Sequence, residues 1–214
     1  MTTIAARKAP PRRDAAASRG ALLAAAVAEF AAHGFAGARV DRIAQQAGVN
    51  KQLVYHHYGS KEDLYRAALE SVYADLREQE RALSLASLAP VAAMEQLVGF
   101  SFDFLSRHPE FIALLTDENR AGGSHLRSSA TLRRMHTPLV EMIGRTLRRG
   151  VAARLFRGDV DAVQLYISIA GLSYFFFSNN HTLSAIFGKR LDTRAALRER
   201  RRHVVEFTLN ALRR

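Results

Sequence analysis

The stretch from Asn50 to Lys61, NKQLVYHHYGSK, gathers two of the chain's four lysines, two adjacent histidines and two tyrosines. Its side chains match nucleic-acid chemistry: Lys51 can donate to guanine, Gln52 can pair with adenine, and Leu53 can touch a thymine methyl. Asn50 just before them is a good helix cap, which would place the three at a helix N-terminus. Tyr55 and Lys61 suit phosphate oxygens, and Lys61 lies beside a second helix start, which itself attracts anions. The histidine pair suggests a metal, but helical neighbours point about 100° apart and chelation needs a spacing of three or four residues. No pair among the eight histidines has that spacing. With cysteine absent, thiolate sites and disulfides are excluded too. No metal or cofactor is expected, and His56 is assigned to the same DNA-facing surface.

Three short helices are predicted to hold these residues. Leu22, Leu23, Val27 and Phe30 recur at three- and four-residue spacing from about Asp14, and Gly34 is placed to end that helix. Val40, Ile43, Ala44 and Ala47 mark one face of the next, VDRIAQQAG, which Gly48 stops. After the turn comes the helix carrying Lys51, and Ser60 with Glu62 and Asp63 opens a long helix to about Leu83. Helix, glycine turn and second helix with a polar outer face make a helix-turn-helix. Residues 1–13 are expected to form a flexible basic arm and 14–60 the DNA-binding unit. The remainder, 61–214, also has helical period, with helices near 90–107, 110–121, 126–150, 159–178 and 193–212. The fold class is therefore all-α, with no segment alternating like a strand.

Charge agrees. The chain has 31 Lys/Arg against 20 Asp/Glu, a net charge of +11. Residues 1–61 hold nine basic and three acidic side chains, so the basic footprint is densest where the motif lies. The apolar run ALLAAAVAEFAA is interrupted by Glu29 and is read as a helix rather than a signal sequence. Val163 to Phe177 is shorter than the roughly 20 residues of a membrane span. A cytoplasmic protein with no membrane partner is expected. No G-x-S-x-G, P-loop, G-x-G-x-x-G or H-E-x-x-H occurs, so no catalytic site is assigned.

The segment GFAGARVDRIAQQAGVNKQLVYHHYGSKEDLYRAAL resembles the DNA-binding domain of TetR-type bacterial transcriptional regulators. Ile43, Ala44, Ala47, Gly48, Val49, Tyr55, Tyr58, Ser60, Lys61, Glu62 and Leu64 fall on that family's pattern. The resemblance implies a repressor released from a palindromic operator by a small-molecule effector. It also implies a homodimer joined through the last two helices. One departure is Arg39, which stands where the family commonly has a Thr or Ser cap and is a candidate for a phosphate contact, with Arg42 beside it. A sequence-independent DNA-binding protein and a helical-bundle enzyme are the competing readings.

For the effector, the candidates are Phe100, Phe104, Phe111, Leu115, Glu118, Asn119, Met135, Met142, Tyr166, Tyr174 and Asn180. They are aromatic, methionine and isolated polar residues on the middle helices. The run from Val163 to Phe177 is apolar nearly all round, so it needs burial on two sides, one against a partner. Val163, Ile167, Ala170 and Tyr174 on that run, with Leu197, Val204, Val205, Leu209 and Leu212 on the last helix, are the candidates for dimerisation.

Overall fold

A computed structural model describes residues 12–127 and 129–214. Ten α-helices run through them: α1 (Arg12–Gly37), α2 (Val40–Gln46), α3 (Lys51–Tyr58), α4 (Lys61–Ala82), α5 (Pro90–Arg107), α6 (Pro109–Arg120), α7 (Ala130–Ala152), α8 (Ala162–Ser178), α9 (Asn180–Phe187) and α10 (Arg194–Leu212), with a 3-10 turn at Leu85–Ser87. Among the described residues no strand forms, only an isolated bridge between Phe156 and Arg213. The expected basic arm falls outside the described residues except for Arg12 and Arg13, which open α1.

Helix boundaries follow from side-chain caps. Asn50 accepts the Leu53 amide at 2.8 Å and Ser60 accepts that of Asp63 at 3.0 Å. The Ser60 hydroxyl donates back to Asp63 and lowers that carboxylate's pKa. Two helices start later than their periodicity suggests because a cap lies further along. Ser129 accepts from Leu132 and starts α7 at Ala130, while Asp161 accepts from Gln164 and starts α8 at Ala162. The short α9 is not among the helices the period predicts; none of its residues is buried, and its apolar Ile186 and Phe187 are exposed.

Three apolar clusters organise the chain. The first joins Leu22, Ala26 and Phe30 of α1, Ile43 of α2 and Val54 of α3 to Leu64, Tyr65, Ala68 and Leu69 of α4, and it takes in Leu114 of α6. The core of the DNA-binding unit thus runs past residue 60 into α4. The second cluster packs α5 against α7, α8 and α10 through residues such as Leu97, Phe102, Ile143, Ile169 and Val204. Between them, Leu76, Phe100, Phe104, Leu105 and Phe111 form a smaller aromatic cluster. The described segment long and apolar enough to cross a membrane, Ala17–Gly37, places Leu22, Ala25, Ala26 and Phe30 in the first of these cores.

Candidate DNA interface and effector chamber

On α3 the buried side is Val54, with Tyr58 turned partly inward, so the opposite side is free. Lys51, Gln52, Tyr55 and His56 are exposed there, and Leu53 is half-buried at its edge. The glycine turn holds by geometry: Gly48 has φ +68°, and the Val49 amide donates to Ala44 O at 3.0 Å. Lys61 sits at the start of α4 with its ammonium 4.9 Å from the Phe35 ring centre.

Arg39 and Arg42 are exposed but already engaged. Arg39 makes a two-pronged contact with Asp41, at 3.2 and 2.8 Å, which holds the Asp41 carboxylate below its usual pKa. α2 has no side-chain cap, and its start is fastened from α1 instead. Glu29 of α1, only 7% exposed, accepts the Arg39 amide at 2.9 Å and pairs with Arg42 at 2.8 Å. In the sequence Glu29 stands only as a break in an apolar run. A carboxylate one helix away gives no spacing signal.

In the second domain two cavities share a wall. An inner chamber of about 90 Å³ is lined by Tyr73, Leu76, Phe104, Leu105, Phe111, Leu115, Tyr166 and Tyr174 among others. An outer cavity of about 590 Å³ lies between α4 and α7, lined by Ala74, Leu85, Met135, Leu139 and Met142 with Arg81, Arg134 and Arg145. Arg77 and Glu80 line both. They are buried and form an ion pair at 2.5 Å. Burial pushes Glu80 up to about 7 despite the Arg77 guanidinium beside it, and pushes Tyr73 up to about 12.

Of the expected effector residues, Phe104, Phe111, Leu115, Tyr166 and Tyr174 meet at the inner chamber, Met135 and Met142 at the outer one, and Phe100 packs behind Phe104. Three lie away from both cavities. Glu118 is 1% exposed and faces the other way, accepting the amides of His125 and Leu126 at 2.9 and 3.0 Å and fixing the turn after α6. Asn119 is exposed and bonds to Leu115 O, and Asn180 opens α9 away from both cavities. The unforeseen wall residues Tyr73, Arg77 and Glu80 lie on α4, whose alternating charges read as a solvated face.

α6 also carries an unforeseen contact toward the DNA-binding unit. Asp117 accepts the Phe35 amide at 2.7 Å and the Tyr65 hydroxyl at 3.1 Å, and burial with this carboxylate raises the Tyr65 pKa. Gly34, at φ +66°, leaves room for it, since a Cβ there would stand 2.9 Å from Asp117 Oδ1. On the chamber side, the Tyr174 and Thr116 hydroxyls are 2.8 Å apart.

The dimerisation candidates divide between two sides. Val163 and Ile167 are exposed, as are Phe175 on α8 and Phe207 on α10, at 57% and 54%. Val204, Val205 and Leu212 are buried in the chain's own core, and Leu197 and Leu209 pack against it, so they do not supply an outward face. Ala170 and Tyr174 turn to the inner chamber. The helical period marked the apolar residues of α10 but not which of them the chain covers itself.

Fold and sites together define a helix-turn-helix protein with a helical sensory domain. Residues 22–68 match the description "Bacterial regulatory proteins, tetR family", and residues 90–208 match "Tetracyclin repressor-like, C-terminal domain". The chain is 36% identical over 213 residues to the HTH-type transcriptional repressor NicS of Pseudomonas putida, spanning 100% of this chain and 98% of that protein. It is 40% identical over 114 residues to the HTH-type transcriptional repressor SCO4008 of Streptomyces coelicolor, 52% of this chain and 55% of that one. Two solved structures share the fold. The fatty acid degradation regulator FadR from Bacillus halodurans superposes with TM-score 0.72 at 19% identity over 97% of this chain and 100% of that chain. The ketosteroid transcriptional regulator KstR2 of Mycobacterium tuberculosis gives 0.66 at 22% over 92% and 95%. The chain belongs to the TetR family of bacterial transcriptional regulators. It is a DNA-binding transcriptional repressor.

Proposed function

We propose that this repressor works in the cytoplasm as a homodimer on a palindromic operator and is released when a small molecule occupies the inner chamber. The observation that carries this reading is the double duty of α6. Phe111 and Leu115 line the chamber, while Asp117 on the same helix holds the Phe35 amide and Tyr65 hydroxyl. A ligand pressing on Phe111, Leu115 or Tyr174 would shift α6 and with it the anchor of α1. DNA and effector would then bind antagonistically, each weakening the other by the same factor. Val163, Ile167, Phe175 and Phe207 supply the two-fold face, Lys51, Gln52, Leu53, Tyr55 and His56 the base-reading surface, and Asn50 sets the latter's helix start. Arg39, Arg42 and Lys61 flank it as phosphate contacts.

The test is operator binding by fluorescence anisotropy, using palindromic DNA flanking the chain's own gene. Affinity about a thousandfold above random DNA is expected. Asp117→Ala is expected to retain operator binding while losing most of its release by an effector. A ratio near one would favour a sequence-independent DNA-binding protein, and full release in Asp117→Ala would remove α6 from the mechanism.

A further inference from the structure

Arg77 is 5% exposed and stands in the wall between the two cavities. One guanidinium nitrogen pairs with Glu80 and another lies 3.3 Å from the Tyr166 hydroxyl, but its Nε has no hydrogen-bond partner. A buried guanidinium has five donors in a planar fork, and here one carboxylate and one hydroxyl to satisfy them, so it can bind a second anion. The surroundings select that anion's body. Rings of Tyr73, Phe104, Phe111, Tyr166 and Tyr174 wall a chamber of about 90 Å³, suited to a single flat ring rather than a chain. Arg81, Arg134 and Arg145 on the outer side repel cations and draw anions in.

We infer that the effector is a small aromatic carboxylate, its ring among these aromatic side chains and its carboxylate on Arg77. This rests on the inner chamber being the effector site. Once the ligand's carboxylate takes Arg77, Glu80 loses its counter-ion inside the wall. Already displaced toward neutrality by burial, Glu80 then binds one proton from the solvent, so the site exchanges one carboxylate for another and gains a proton. Among the described residues, the titratable groups facing Arg77 and Glu80 are Tyr73 and Arg81 on α4, Arg134 and Arg145 on α7, and Tyr166 and Tyr174 on α8. α5 adds only the neutral Ser101. Glu80 is the carboxylate of this set.

The experiment is calorimetric titration of the full chain with benzoate, phenylacetate and salicylate against benzamide, in two buffers of different ionisation enthalpy. At least one acid is expected to bind about tenfold or more tighter than benzamide, as a charge-assisted pair should. Near pH 8, where Glu80 is still largely ionised, binding of that acid should take up close to one proton, and it should tighten as pH falls from about 8 to 6. Arg77→Gln should abolish the preference for the acid, and Glu80→Gln should keep it without proton uptake. If Arg77→Gln does not fold, the double variant Arg77→Met/Glu80→Met, which removes both charges together, takes its place. Equal binding of acid and amide, an acid preference surviving loss of Arg77, or no binding by any of the three acids would overturn the inference. Acid binding that leaves operator affinity unchanged would uphold the ligand class and overturn the regulatory reading. Operator release by a neutral ligand indifferent to Arg77 would do the reverse.

Discussion

At the scale of single residues, contacts that read bases must be separable from contacts that only hold phosphates. Lys51 is exposed at the start of α3, the end of the helix that would meet base edges in a major groove. Lys51→Ala is expected to lower the operator-to-random ratio about tenfold or more, because one good base contact contributes about 1–3 kcal/mol of discrimination. Equal losses on both DNAs would reassign it to the backbone. Glu80 makes a second prediction, about pH. Its folded pKa of about 7 lies above its ordinary value of 4.5, so between these values the folded chain holds more proton than the unfolded one. Its contribution is full below about pH 4.5 and is lost as pH rises through about 7. Glu80→Gln should therefore flatten the decline in melting temperature across that window, and an unchanged slope would contradict the assignment. Both residues are charged helix positions in the sequence, and only burial distinguishes them.

At the scale of elements, the join between α1 and α6 is the most demanding piece of backbone. Gly34 combines a positive φ with an acidic oxygen where a Cβ would sit. Gly34→Ala should cost about 1–3 kcal/mol, seen as a lower melting temperature, and adding Asp117→Ala should recover only the steric part. The sequence shows the glycine and the end of a regular helix, but not the carboxylate, 82 residues from Phe35, that the turn serves. The same holds elsewhere. Caps such as Asn50 and Ser60 are local, so α3 and α4 were legible nearly to the residue. Period and caps also revealed α5, α8 and α10, while the direction each apolar face takes depends on partners remote in sequence. Hence the period offers Val204 as an outward residue and Glu118 as an effector contact, although each is fully used within the fold.

At the scale of the whole molecule, the exposed apolar residues Val163, Ile167 and Phe175 of α8 and Phe207 of α10 are the surface to break. Phe207→Glu together with Ile167→Glu should yield a monomer by light scattering and nearly abolish operator binding while leaving helical content intact, because charges are costly in an apolar interface. A dimer that persists would relocate the interface. A different consequence follows from the first core, which draws Leu64, Tyr65, Ala68 and Leu69 from α4 and Leu114 from α6. The reading head is not a portable cassette. Cut at residue 60 it would forfeit much of its own interior, and fused to a foreign sensor it would need α4 and α6 to travel with it. New specificities are therefore better obtained by exchanging side chains on α3 than by transplanting domains.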